Sequence, residues 1–327
     1  MGGRHRRHKK KDRDDGQSLA VGAIHAGNAW PQFRGVGRDG RVAWLPRRLP
    51  HPQTDLVWKQ KFDGTGVGGL TATPAMIVVS GRDATDTRDR FTALDPRSGQ
   101  TLWAYEYAAP SELDYGNSPR ATPTMVDGVV VTLGATGVLS GLDAQTGVAL
   151  WSADVRRRFG AAVPTWGFSG SPLVVDGVIF LSLGEQAPLV AIDLFSGETR
   201  WRVAAAASAY ASLMPIGENL IAGVGQGGYF LRQRDDGALV WSYTSEFAGD
   251  FGVPSPVVSG LGAIFSGENN GVLWFQDLPA QRAAQATAVD ERLIPDTHTP
   301  VAVGDQLLVA YDGLHSLSLQ DLSLIHI

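Results

Sequence analysis

The chain has 327 residues, 43 % of them hydrophobic and 19 % charged, with 40 glycines and no cysteine. That content supplies a sizeable core and many tight turns, and it excludes disulfides, thiolate metal sites and a CxxCH haem site. The formal net charge of -5 does not suggest a nucleic-acid surface, and no apolar run is long enough to span a bilayer.

Residues 1–29 read as a disordered basic extension. Arg4, Arg6, Arg7, Lys9, Lys10, Lys11 and Arg13 form a charge run with no apolar partners, so the rest of the chain is more acidic still. Leu19–Ala29 resembles the end of a signal peptide, but His25 and its glycines interrupt it, so no clear signal is assigned. Residues 30–53, rich in Pro, Gly and Arg, are expected to form an irregular arm. Leu56-Val57-Trp58-Lys59 reads as an isolated strand.

From there to residue 322 the chain repeats itself. Residues 121–151 show the unit most clearly. Thr122-Pro123 opens a short strand, and Asp127-Gly128 is a tight turn. Val129–Leu133 is an apolar run suited to a strand buried on both faces, Leu139–Asp143 alternates, and the last strand ends at Trp151. A unit of four short strands cannot bury its own faces and needs copies on either side. Copies follow the prolines Pro74, Pro123, Pro172, Pro215, Pro256 and Pro300, about 41 to 49 residues apart. That period, with four strands per unit, predicts an all-β propeller of four-stranded blades, six of them visible.

The unit endings share a pattern. Ala93-x-Asp95-x-x-Ser98-Gly99-x-x-x-Trp103 recurs at Gly141, Asp143, Thr146, Gly147 and Trp151, and again at Ala191, Asp193, Ser196, Gly197 and Trp201. A worn copy ends at Asp236-Gly237 and Trp241. The Asp and Ser/Thr side chains suit the backbone amides of a tight turn, Gly takes a positive φ, and the small first residue leaves room for a ring.

This pattern resembles the tryptophan-docking motif of the pyrroloquinoline-quinone (PQQ)-like repeat propellers. The family includes quinoprotein alcohol dehydrogenases and an outer-membrane protein assembly factor. Trp30-Pro31-Gln32-Phe33-Arg34-Gly35 and Arg38-Asp39-Gly40 look like the start of an uncharacterised subgroup. The resemblance covers roughly residues 30–320. It implies docking roles for Trp58, Trp103, Trp151, Trp201 and Trp241, with Asp95, Asp143, Asp193, Gly99, Gly147 and Gly197 in the turns, and it implies a periplasmic location. The sixth unit stops near Leu319 without a final Trp. Either the strand at Trp58 completes a six-bladed ring, or the chain is part of a seven- or eight-bladed propeller. The family's usual blade number favours the second. Residues 323–327 match nothing in the repeat.

For function, the resemblance offers PQQ with Ca²⁺ over the channel, which would need oxygen ligands, a catalytic Asp and an aromatic floor. Glu185, Asp250 and Glu268 beside Asn269 are available carboxylates, but none sits in a matching motif, and they read as turn or solvent-facing groups. The seven histidines show no HxH or HExxH spacing, so no metal site is assigned. Gly223–Gly228 reads as a hairpin turn rather than a phosphate loop. No catalytic residues are assigned. In a propeller the segments entering the innermost strands border the channel. Here they carry Tyr115, Asn117, Arg120, Trp166, Phe168, Tyr210, Asp250, Phe251 and His298, a mix of aromatic and polar groups suited to a binding rim, with inter-blade packing as the competing role for the aromatics. The reading is a non-enzymatic scaffold that binds a protein or peptide partner, with no cofactor. The alternatives are a PQQ- and Ca²⁺-dependent dehydrogenase and a sugar-binding propeller.

Overall fold

The computed structural model describes residues 29–326 apart from 43–47, 49, 52, 63–65, 185, 206, 226–227, 245–251, 260–261, 268–270, 277–286, 289–296, 311 and 322. The basic extension, Asp250, Phe251, Glu185 and Glu268 therefore lie outside the described residues.

Six antiparallel sheets of four strands follow one another, each in chain order. The first holds β1 (Thr71–Ala72), β2 (Ile77–Arg82), β3 (Arg88–Leu94) and β4 (Thr101–Ala108). The second holds β5 (Thr124–Val126), β6 (Val129–Leu133), β7 (Val138–Asp143) and β8 (Ala149–Asp154). The third holds β9 (Leu173–Val175), β10 (Val178–Ser182), β11 (Pro188–Asp193) and β12 (Thr199–Ala204). The fourth holds β13 (Met214–Ile216), β14 (Leu220–Gly225), β15 (Gly228–Gln233) and β16 (Leu239–Thr244). The fifth is β17 (Val257–Ser259), β18 (Gly262–Gly267), β19 (Gly271–Gln276) and β20 (Thr287–Ala288). The sixth is β21 (Val301–Val303), β22 (Gln306–Ala310), β23 (Leu314–Ser318) and β24 (Leu324–His326). These are the blades of a β-propeller.

The cores lie between blades, which is why one unit cannot stand alone. Side chains alternate across a strand, so β6 serves two cores. Val130 meets Met76, Val78 and Ala93 of the first blade, while Val129, Val131 and Leu133 meet Ile179, Leu181 and Val190 of the third. All of β6 is buried, as its unbroken apolar run predicted. The same division joins blades three to four around Phe180 and Phe230, four to five around Tyr229 and Phe265, and five to six around Ile264 and Leu307.

The structure corrects several expectations. Residues 324–326 are not apart from the repeat, because β24 pairs with β23 through His315–His326 and Leu317–Leu324. Residues 56–59 form no strand among the described residues; Trp58 docks on the first blade instead, as described below. Two prolines are not unit openers. Pro74 sits in the turn between β1 and β2, where the second blade has Asp127-Gly128, and Pro215 lies inside β13. Hydrogen-bond register, not proline, marks the equivalent positions. A short helix, α1 (Val155–Phe159), also interrupts the pattern after β8. Asp154 caps its first turn and Gly160, at φ 73°, ends it.

Candidate functional site

The junctions of the first four blades are built from a tryptophan and a turn. In the turn, Asp143 Oδ1 accepts from the Thr146 amide at 2.8 Å and its hydroxyl at 2.7 Å. Asp95 and Asp193 do the same for Ser98 and Ser196. Gly147 then turns at φ 72°. The carbonyl one residue past the turn's first residue (an Asp in the first three blades, Gln233 in the fourth) receives an indole from the preceding stretch of chain. Trp103 Nε1 donates to Ala144 O at 2.9 Å, Trp151 to Leu194 O at 2.8 Å and Trp201 to Arg234 O at 2.8 Å. Trp58 donates to Pro96 O at 2.9 Å in the same way, without a blade of its own. The rings lie on the glycines: a Cβ on Gly147 would stand 2.6 Å from the Trp103 ring, and one on Gly99 2.6 Å from that of Trp58. Within each blade the Trp sits opposite the small first residue, Ala93, Gly141 or Ala191, and the register shifts just after it. Trp241 lies 6.1 Å from Phe265 of the fifth blade.

At the opposite end of the blades a second pattern links them. The Thr122 amide donates to Ser171 Oγ, Ser171 to Ser212 Oγ, and Ser212 to Ser255 Oγ, all at 2.9 Å; Ser255 donates to Thr299 Oγ1 at 3.0 Å. A hydroxyl two residues before each innermost strand thus closes a belt through blades two to six. In the first blade Gly69 holds this position and packs against Thr122. The signal was present, a Ser or Thr before most opening prolines, but the prolines drew the reading.

The rim residues divide. Trp166 and Tyr210 come together, with ring centroids 5.4 Å apart and planes tilted by 51°. They line a cleft of about 440 Å³ with Pro164, Thr165, Gln186 and Ser208, and no charged side chain among the described residues lines it. Arg120 stands near Tyr210. Burial lowers its pKa and the Tyr210 hydroxyl opposes that. Its guanidinium braces its own loop, donating to Asp114 O at 2.5 Å and Gly116 O at 2.9 Å. Asn117 ties that loop to the first blade through Asp86 Oδ2 at 2.6 Å. Asp86 accepts from Arg82, which also pairs with buried Asp89 at 2.6 Å. Tyr107 donates to Asp89 at 2.9 Å. Burial, and then the Asp89 charge, hold the Tyr107 pKa well above its usual value, so it stays a donor. Tyr115 is 85 % exposed at the loop tip and His298 is exposed near the sixth blade. Phe168 is not a rim residue. It is fully buried against Gly137 and Val155, where an aromatic in a short loop fills the core under α1.

The arm, missed as a site element, enters the channel. Trp30 forms a bridge with Ala72, and Pro31 O accepts from the Met125 amide at 2.7 Å. Arg34 and Arg38 reach carbonyls before the innermost strands of blades six and three. No three His, Asp or Glu side chains gather into a metal site among the described residues, and Glu185, Asp250 and Glu268 lie outside them. No helix among the described residues is long and apolar enough to cross a membrane.

Residues 51–243 match the family model described as outer membrane protein assembly factor BamB. A quinohemoprotein alcohol dehydrogenase, ADH-IIG of Pseudomonas putida, is 31 % identical over 164 residues, 46 % of this chain and 21 % of the relative. The outer membrane protein assembly factor BamB of Yersinia pestis is 26 % identical over 160 residues, 48 % of this chain and 35 % of the relative. The matches thus span about a fifth and a third of those relatives' own lengths. The crystal structure of BamB from Moraxella catarrhalis superposes with a TM-score of 0.61 at 16 % identity, covering 82 % of this chain and 76 % of that one, and shows the same fold.

Proposed function

The chain belongs to the outer membrane protein assembly factor BamB family of PQQ-repeat propellers, and on that footing we propose that it is a non-enzymatic scaffold that binds a protein or peptide partner at its rim. One observation carries the reading: the open cleft beside the tilted Trp166–Tyr210 pair, about 440 Å³ in volume. Aromatic rings in a concave site offer large contact area at low entropy cost, and the hydroxyl of Thr165 and the amide of Gln186 orient what binds. The named role of the Yersinia relative supports an extracytoplasmic setting for this scaffold. A photo-crosslinking residue placed at Trp166 or Tyr210 in the native host tests this. Discrete protein adducts at these positions, and none at exposed Glu198 on the opposite end, are the expected result. Equal labelling at all three positions overturns it.

The second reading is a quinoprotein-type dehydrogenase, favoured by the identity to ADH-IIG over nearly half of this chain. It requires a cofactor site made of residues other than the described channel groups.

A further inference from the structure

The loop between the first and second blades carries an exposed aromatic ring on a backbone held from several sides. Tyr115 at its tip is 85 % exposed and takes a left-handed φ of 64°. Arg120 Nη2 donates to the carbonyls on either side of it, Asp114 O at 2.5 Å and Gly116 O at 2.9 Å, and Arg120 Nη1 donates to Ser118 O at 3.2 Å. Asn117 Oδ1 accepts from the Leu113 amide at 2.9 Å, and its Nδ2 donates to Asp86 Oδ2 at 2.6 Å. Asp86 accepts in turn from Arg82 Nε at 2.9 Å, and Arg82 Nη1 pairs with Asp89 at 2.6 Å and donates to Ala109 O at 3.0 Å. Arg82 and Asp89 are 3 % and 0 % exposed. The loop also lies against the cleft. A Cβ on Gly167, next to Trp166, would stand 3.1 Å from Leu113 Cδ1, and Arg120 stands near Tyr210.

A large ring left in water contributes little to the core, and left-handed backbone at a tyrosine is strained. The buried Arg82–Asp89 pair also carries a desolvation cost. What these costs maintain is a loop of one shape, with its phenol projecting beside the cleft. A ligand confined to the cleft makes no use of a projecting ring. A protein surface with a pocket does, and tyrosine is a frequent anchor in such pockets. A loop ordered before binding spares the entropy of ordering it in the complex. We propose that Tyr115 is a preset anchor that enters a pocket of the same protein partner that occupies the Trp166–Tyr210 cleft, and that Arg120, Asn117 and Asp86 are its positioning residues. The inference rests on the rim reading above, and adds that the partner spans three successive inter-blade loops.

The test places a photo-crosslinking residue at Gln186, which lines the cleft and leaves both rings in place, in full-length protein in the native host. Adduct yield is compared in Tyr115→Ser, Asp86→Ala and Asp86→Asn. Hydrogen exchange of the Gly116 amide, which donates to Leu113 O at 3.2 Å, is measured on the purified variants. The expected result is a discrete protein adduct whose yield falls at least fivefold in Tyr115→Ser, with the denaturant midpoint unchanged. In Asp86→Ala the Gly116 amide exchanges at least fivefold faster and the adduct falls at least threefold. Asp86→Asn keeps an acceptor oxygen for Asn117 and recovers both towards wild type. An adduct undiminished by Tyr115→Ser overturns the inference and leaves the rim reading standing, whereas no adduct at Gln186 overturns both. An Asp86→Ala variant with wild-type exchange or an undiminished adduct overturns the positioning role.

Discussion

Trp103 and Gly147 meet across the first blade junction with the ring on the Cα, and each explains the other. The ring is 8 % exposed and its N–H reaches Ala144 O. Trp103→Ala is expected to cost about 3–5 kcal/mol in a denaturant melt, as large buried aromatics do. Trp103→Phe should lose only about 1–2 kcal/mol, chiefly through the unpaired carbonyl. Gly147→Ala meets both a left-handed φ and the ring, whereas Gly217→Ala, at φ 55° with nothing within 4 Å, meets only the backbone strain. The first is expected to cost clearly more than the second, which should lose about 1 kcal/mol. The turn aspartates add a pH dependence. Hydrogen bonds from the Thr146 hydroxyl and amide lower the Asp143 pKa; the Ser98 amide does so for Asp95, and Arg200 for Asp193. A folded pKa below the unfolded value near 3.9 means stabilisation that is present above about pH 4 and lost as pH falls through the folded values. Stability measured from pH 6 down to 2 should decline below about pH 4, and Asp143→Asn should decline less steeply. These turns were legible in the sequence because their chemistry is local: an Asp, a hydroxyl and a Gly at fixed spacing make the same bonds wherever they stand.

At the scale of the blade, legibility followed the same boundary. β6 was readable from its apolar run, and the hairpin between β14 and β15 from its glycines, with Gly225 opposite Gly228. What failed depended on pairing across distance. Leu324–His326 has no turn-Gly and no Trp, yet the open edge of β23 recruits it. Pro74 looked like an opener because proline suits both a strand entrance and a turn. The hydroxyl belt is the element-scale feature that register reveals. Ser171→Ala leaves the buried Thr122 amide unpaired and is expected to cost about 1–3 kcal/mol, while Ser171→Thr retains the acceptor and costs less. Urea midpoints of the two variants check this, and equal midpoints for Ala and wild type would remove the belt's energetic role.

At the scale of the molecule, inter-blade cores, docking tryptophans, hydroxyl belt and arm all serve to hold neighbouring blades together and to present loops at one end. Trp166 and Tyr210 could be named as rim residues from topology alone, because any segment entering an innermost strand borders the channel. Their pairing into one cleft could not, since it depends on how two loops 44 residues apart fold back together. Phe168, two residues from Trp166, went to the core instead. Trp166→Ala and Tyr210→Ala are expected to lower stability by about 1 kcal/mol or less, as half-exposed positions do, while weakening partner crosslinking. The central claim is that this propeller presents a binding rim and does not turn over a quinone. Titration of the full-length protein with PQQ and Ca²⁺, read by tryptophan fluorescence and dye reduction, tests it most directly. The expected result is no saturable quenching and no calcium-dependent reduction at high micromolar quinone. Saturable quenching with turnover would contradict the claim and direct attention to Glu185, Asp250 and Glu268.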